Sequence, residues 1–115
     1  YEAQWDSLMG DAARHMSGSP LDGQTLWDAT MAHSVARALE AHPGSLVLHL
    51  AGGFHVESRT GIPEALRHYR PDTRMLVVAV RAVEDPAEGF DLDEHGGRGD
   101  FVVLTDEAWR GGGTR

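Results

Sequence analysis

The sequence predicts an α/β fold in which helices are layered around a mostly parallel central sheet. Two strand-sized apolar runs, residues 46–50 and 75–80, lack the polar alternation of a half-exposed strand, which is typical of strands covered on both faces. A short helical segment that opens with Ile62 and Pro63 lies between them, and this order predicts a right-handed βαβ unit. The chain has 115 residues, so we expect at most one domain and an incomplete layered structure.

Two helices are predicted before the first strand, within a single α/β domain of residues 1–110. Residues 1–16 carry apolar side chains at spacings of three and four, the pattern of an amphipathic helix. Residues 21–42 show the same pattern and end at a Pro-Gly pair. Its predicted core-facing stripe recurs every four residues and consists of Trp27, Met31, Val35 and Leu39.

The C-terminal third is predicted to be more irregular. Residues 84–100 are rich in Asp, Glu and Gly, and we expect a mobile acidic loop, longer than most connections in compact domains. Residues 101–104 predict a last short strand, at an edge of the sheet. Residues 111–115 are expected to be a disordered tail.

Composition excludes several functions for this segment. The net charge is −8 and the ten basic residues are all Arg, so the chain lacks the basic surface of a general nucleic-acid binder. Because there is no Cys, disulfides, thiolate zinc sites, iron–sulfur clusters and a Cys nucleophile are excluded. No apolar run approaches the ~18 residues of a membrane span.

A candidate site follows the first predicted strand. Gly52 and Gly53 allow a sharp turn and a close approach to the backbone, and His55 and Glu57 come directly after them. In open α/β sheets, ligands bind beyond the carboxyl ends of the strands. His55 is therefore a candidate metal ligand, haem ligand or acid–base group, and Glu57 a second ligand or the group that orients the ring. The alternative is a histidine that caps the turn beside a solvated glutamate.

The second helix supplies further candidates. Asp28 adjoins the apolar stripe, and a carboxylate there needs a partner. It either pairs with a His or Arg structurally or faces the site, and the sequence leaves both open. His49, inside the predicted strand, is expected to be a buried, hydrogen-bonded core residue with Asp28 or Gln24 as its partner.

Three motifs in this chain resemble those of the ChaN-like haem-binding uptake proteins of the Tiki/erythromycin-esterase-like superfamily. They are residues 24–32, Gly52-Gly53-Phe54-His55, and Gly61-Ile62-Pro63-Glu64, and the resemblance covers about residues 1–83. It implies an α/β fold with a mostly parallel sheet. It also implies haem binding in bacterial iron uptake, by a periplasmic or membrane-anchored protein.

The resemblance implies a set of pocket residues and two alternative functions. In a haem site, the pocket residues would be His55, Gly52, Gly53, Gln24 and Asp28. In a metal-dependent hydrolase, which is the activity of other members of the superfamily, His55 and Glu57 would hold a divalent transition metal. A third possibility is a non-catalytic interaction domain.

Parts of the family pattern do not map onto this sequence. Relatives pair the Gly-x-x-His motif with an earlier Gly-Glu-x-His motif, which is absent here. We therefore expect this chain to be the C-terminal half of the domain, with the other site residues and any membrane anchor upstream. Tyr1 and Tyr69 are candidate phenolate ligands for haem iron, although packing is favoured for Tyr69. The expected partners are haem or another small molecule, no nucleic acid, and a second copy in a homodimer.

Overall fold

The computed structural model describes residues 20–108 and contains helices and a parallel sheet, as predicted. Between the first two helices lie two short 3₁₀ turns, Gly53–His55 and Glu57–Arg59. The predicted α/β class with parallel strands is confirmed. In chain order the helices and strands are α1 (Pro20–Ala41), α2 (Ile62–Tyr69), β1 (Val78–Val83), α3 (Leu92–His95) and β2 (Phe101–Asp106).

Helix α1 matches the predicted second helix to within one residue at each end. Its middle packs as the periodicity predicts, because Ala32 and Val35 are buried and Met31 is partly buried. The prediction is wrong for the first member of the stripe, since Trp27 is 59% exposed. The helix ends before Pro43, and Gly44 follows with a φ of +82°.

The core lies between α1 and α2. Pro63 in the first turn of α2 suits a helix start, because proline lacks the N–H that would be unpaired there. The buried members are Ala32, Val35, Ile62 and Leu66. Partly buried side chains surround them: Met31, Ala36, Leu39, Val47, Val56, Ala65 and Met75.

Strands β1 and β2 form a two-stranded parallel sheet. The register pairs Val78 with Phe101 and continues to Val83 with Asp106. β1 overlaps the second half of the predicted strand of residues 75–80 and continues to Val83, and β2 extends the predicted strand of residues 101–104 by two residues.

The predicted central strand, residues 46–50, is not a strand in the structure, and this prediction is wrong. Leu46 is 96% exposed, and Leu48 and Leu50 are also largely exposed. Val47 alone packs against the helical core. A strand needs a neighbour, and the parallel partner of β1 is β2. The predicted βαβ unit is therefore present in chain order but lacks its strand pairing.

The acidic segment contains one short helix. The side chain of Asp91 accepts hydrogen bonds from the N–H groups of Asp93 and Glu94, which caps α3. His95 at the end of α3 is buried. The mobility of this segment stays a prediction, and so does the single-domain organisation. The predicted helix of residues 1–16 and the tail of residues 111–115 lie outside the described residues.

No helix among residues 20–108 is both long and apolar enough to cross a membrane.

Asp100 binds the backbone just before β1, and its charge predicts that the stability of the fold depends on pH. Its carboxylate accepts a hydrogen bond from the N–H of Val77 and pairs with Arg59. The Val77 N–H and, less strongly, the Arg59 charge hold the pKa of Asp100 below its ordinary value of 3.8. A carboxyl group with a lowered folded pKa adds stability above its unfolded pKa, and this stability is lost as the pH falls through the folded pKa.

We expect Asp100→Asn to lower the urea midpoint near neutral pH and to have little effect in strong acid, where the wild-type carboxyl group is protonated. Urea unfolding over a pH series measures this. Asp72→Asn changes an exposed aspartate and is the control. An equal loss of stability at neutral and strongly acidic pH would contradict the role given to the Asp100 charge.

Candidate functional site

Residues 52–60, here called the histidine turn, join the extended segment after α1 to the start of α2. Two successive non-glycine residues, Ser58 and Arg59, have positive φ values of 57° and 58°. This conformation is uncommon for residues with a side chain and persists where surrounding contacts hold it. Here the Ser58 N–H donates to the carbonyl oxygen of Arg98 at 2.8 Å, and the Thr60 hydroxyl donates to the carbonyl oxygen of Glu57 at 3.0 Å.

The turn brings His55 against Asp28 of α1. The distance between His55 Nδ1 and Asp28 Oδ1 is 2.6 Å. Asp28 is 2% exposed, whereas the His55 side chain is 20% exposed. The Asp28 carboxylate therefore pairs with a histidine, and its role in binding stays a prediction. The predicted pairing of His49 with Asp28 or Gln24 is wrong, since His49 lies exposed on the extended segment.

Gly61 allows α2 to begin directly beside this pair. Its φ is +63°, in the left-handed region that favours glycine. A Cβ at this position would lie 2.5 Å from the carbonyl oxygen of His55 and 2.9 Å from Asp28 Oδ2. Gly61 belongs to the Gly61-Ile62-Pro63-Glu64 motif, but no role is predicted for it from the sequence. Its position directly before an Ile-Pro helix start is the feature of the sequence that indicates a special backbone conformation.

A groove of about 350 Å³ opens beside the exposed edge of His55. Trp27 and Met31 of α1 form one side, and Ala51 and Gly52 form the other. Thr30 also lines the groove, but its hydroxyl donates to the carbonyl oxygen of Leu26 at 2.7 Å. The groove therefore presents a mainly apolar surface with one imidazole. Trp27, predicted to be core, is a site residue that sequence reasoning missed.

The other predicted pocket residues occupy different positions. Gly52 lines the groove, and Gly53 lies against Glu57, where a Cβ would be 2.6 Å from Oε1. Gln24 is half-buried on α1, one turn before Asp28, and is not part of the groove lining. The roles of Gln24, Gly52 and Gly53 in binding stay predictions.

Glu57 is buried within an ion cluster. It is 4% exposed, and its carboxylate accepts from Arg98 Nη1 at 2.7 Å and lies 3.4 Å from Arg81 Nη1. A metal site shared by His55 and Glu57 stays a prediction, and it would require this carboxylate to leave the arginines. In the part of the chain that the structure describes, no three His, Asp or Glu side chains are grouped to hold a metal ion.

Of the two candidate tyrosines, Tyr69 lies outside the groove lining. Tyr69 makes an edge-on ring contact with His33, at a centroid distance of 5.4 Å, which joins α2 to α1. This is the packing role favoured from the sequence. Tyr1 lies outside the described residues.

Comparison with known protein families gave a match to the first part of the chain. A family model described as haem-binding uptake, Tiki superfamily, ChaN matches residues 1–66, which is more than half of the 115-residue chain. The matched region contains Asp28, His55 and Gly61. No curated protein and no solved structure matches the chain.

Gly61→Ala should separate the histidine turn from α1. The Cβ would clash with the His55 carbonyl oxygen, and an alanine at positive φ is strained by about 1–3 kcal/mol. We expect a loss of stability of at least this size and loss of the hydrogen bond between His55 Nδ1 and Asp28. Urea unfolding and ¹⁵N NMR of the histidine side chains measure the two effects.

Gly97→Ala is the matched control, because nothing lies within 4 Å of a Cβ there. A Gly61→Ala protein with wild-type stability and an unchanged His55 ring would contradict the steric role of Gly61.

Proposed function

Since the chain belongs to the ChaN family of haem-binding uptake proteins in the Tiki superfamily, we propose that it binds haem in the groove beside His55. We further propose that this binding serves bacterial iron uptake. The observation that carries the proposal is the pairing of His55 Nδ1 with the buried carboxylate of Asp28, next to a mainly apolar groove.

The Asp28 contact prepares His55 to act as a ligand. The Nδ1–H donates to the carboxylate, which fixes the tautomer and leaves Nε2 as the nitrogen for an incoming iron. A carboxylate on the far ring nitrogen also fixes the orientation of the ring. Histidine is a common protein ligand of haem iron, so the His55 imidazole suits haem, which the family description names.

The surroundings of His55 suit a flat, apolar ring system. The groove volume of about 350 Å³ lies within the ~300–1,000 Å³ range of small-molecule sites. Trp27 offers an exposed indole and Met31 a polarisable thioether on one side. Gly52 offers no side chain on the other, so a planar ligand can approach the backbone closely. The haem would be the iron-containing cargo, and the residues of the chain would hold it and exclude water from one face.

The same His55–Asp28 pair favours a second candidate, a metal-dependent hydrolase. A carboxylate that orients a histidine is also the usual support of a metal-binding imidazole. A catalytic metal needs about three protein ligands, so His55 would require others from outside the described residues or a released Glu57. A transition metal that co-purifies with the wild-type protein and is lost from His55→Ala would favour this function over haem binding.

Hemin titration tests the haem proposal directly. We expect a saturable Soret shift in the wild type with a defined stoichiometry. His55→Ala removes the proposed ligand and should weaken hemin binding at least ~10-fold, equivalent to ~1.4 kcal/mol, and should change the position of the Soret band. His42→Ala is the matched control, because it removes an exposed histidine at the end of α1.

The Soret spectrum distinguishes specific binding from non-specific hemin adsorption. Adsorption through the exposed leucines would remain in His55→Ala and would not saturate at a defined ratio. A wild-type protein without a saturable shift at micromolar hemin would contradict the proposal, as would equal affinity and equal spectra for wild type and His55→Ala.

Asp28→Asn tests whether the carboxylate supports the ligand. The amide keeps the shape of the side chain but removes the charge that holds the ring, and losses of such supporting groups typically weaken binding about 10–100-fold. We expect hemin affinity to fall by about this factor while the protein stays folded by circular dichroism. Wild-type affinity in Asp28→Asn would show that the pair has only a structural role.

A further inference from the structure

Arg98 contacts the histidine turn at two consecutive residues. Its Nη1 donates to the Oε2 atom of Glu57 at 2.7 Å, and its carbonyl oxygen accepts from the N–H of Ser58 at 2.8 Å. Ser58 has a φ of 57°, which is uncommon for a residue with a side chain. Such a conformation persists only where the surrounding structure holds it. Arg98 therefore supports the turn at the point where its backbone is least favourable.

Arg98 is itself held near the end of the acidic segment. Its N–H donates to the carbonyl oxygen of His95 at 3.2 Å, and its Nε donates to the carbonyl oxygen of Glu94 at 3.2 Å. Both of these acceptors belong to α3, whose start is capped by Asp91. The guanidinium thus has one contact to α3 and one to Glu57, and this limits the positions that the Glu57 carboxylate can take.

Arg81 holds the same carboxylate less closely. Its Nη1 lies 3.4 Å from the Oε1 atom of Glu57, and its side chain is more exposed than that of Arg98. A hydrogen bond weakens with distance, and exposure to water weakens an ion pair. The carbonyl oxygen of Arg81 accepts from the Thr105 hydroxyl within the sheet. Arg98, with the shorter contact to Glu57 and a second bond to Ser58, is therefore the stronger attachment of the turn.

Glu57 connects this attachment to the imidazole. Its Oε1 atom lies against Gly53, where a Cβ would be only 2.6 Å away. Gly53 begins the 3₁₀ turn that ends at His55. The carboxylate therefore touches the first residue of the turn whose last residue carries the ring. A displaced Glu57 would shift the backbone of His55 relative to Asp28, and Asp28 Oδ1 lies only 2.6 Å from the ring Nδ1.

We propose that Arg98 is a positioning residue for His55, and that it keeps the ring in the orientation that directs Nδ1 to Asp28 and Nε2 to the groove. Arg98 acts through Glu57 and the backbone of the turn and touches no ligand. A ring that is already oriented needs less ordering when a ligand binds. For its effect on binding, this role rests on the proposed haem function, whereas the orientation of the ring in the free protein does not depend on it.

Hemin affinity measures the effect on binding. Arg98→Met removes the guanidinium and keeps an unbranched apolar side chain, and the carbonyl group that binds Ser58 stays in place. We expect hemin to bind about 3-fold to 10-fold more weakly, because loss of a residue in a coupled contact network has effects of this size. Arg37→Met is the matched control, because it removes an exposed arginine that pairs with Glu40 on α1. Its hemin affinity should equal that of the wild type.

A double-mutant cycle with His55→Ala separates positioning from a general loss of stability. If Arg98 acts through the imidazole, Arg98→Met should not weaken the residual hemin binding of the His55→Ala protein any further. If Arg98 only stabilises the fold, Arg98→Met should weaken hemin binding by the same factor with and without His55. That second result would overturn the proposal, and so would wild-type affinity in folded Arg98→Met.

The ligand-free protein provides an independent measurement. ¹⁵N NMR of the histidine side chains should show His55 protonated at Nδ1 in the wild type and in Arg37→Met, and as a mixture of tautomers in Arg98→Met. This result does not require hemin, so the role of Arg98 is decided even if the wild type binds no hemin. A wild-type His55 ring in folded Arg98→Met would contradict the proposal.

Glu57→Gln is the second variant, and it decides the question if Arg98→Met does not fold. The amide keeps the shape of the side chain but removes the charge that Arg98 holds. We expect the same mixture of tautomers at His55 as in Arg98→Met. An unchanged His55 ring in Glu57→Gln would show that the contact between Arg98 and Glu57 does not orient the imidazole, and the proposal would then be wrong.

Discussion

The position of the candidate site depends on one buried carboxylate. Glu57 lies between Arg81 of β1 and Arg98, which precedes β2, and it is two residues after His55. This cluster fixes the histidine turn to the sheet. Loss of Glu57 or of both arginines would leave the remaining charge without its partner, which destabilises the fold. The cluster therefore holds the candidate site in place against the sheet.

A second anchor holds the same turn to the helices. His55 is bound to Asp28, and Gly61 lets α2 begin within contact distance of both. The imidazole is thus fixed from two directions, through the helix on one side and through the sheet on the other. A ligand that approaches from the groove meets a ring whose orientation is already set, so less ordering is required when it binds. The apolar side chains of Trp27 and Met31 complete the surface without adding a competing polar group.

Local sequence patterns predict the two long helices and the approximate positions of two strands. They do not predict contacts between residues that are far apart in the chain. The spacing of apolar residues and the flanking prolines are enough to place α1 and α2. Residues 46–50 carry an equally good local signal, but a strand forms only beside a partner, which no local pattern reports. Asp28 and His55 were both identified as candidates, yet their pairing depends on a turn whose left-handed residues are not glycine. Trp27 follows the helical period of the core, but the period does not show where the packed part of α1 begins.

Unlike most surface loops, the histidine turn needs a fixed number of residues. Alternate residues along it are each held by a different part of the fold: His55 by α1, Glu57 by the two arginines, and Arg59 by Asp100. Inserting or deleting one residue between His55 and Arg59 would shift this alternation, so that a side chain now exposed would enter the ion cluster and a bonded one would leave it. Ordinary loops tolerate such changes, but this one has a fixed number of residues. Changes in loop length that arise during evolution are therefore expected to fall elsewhere, such as in the acidic segment before β2.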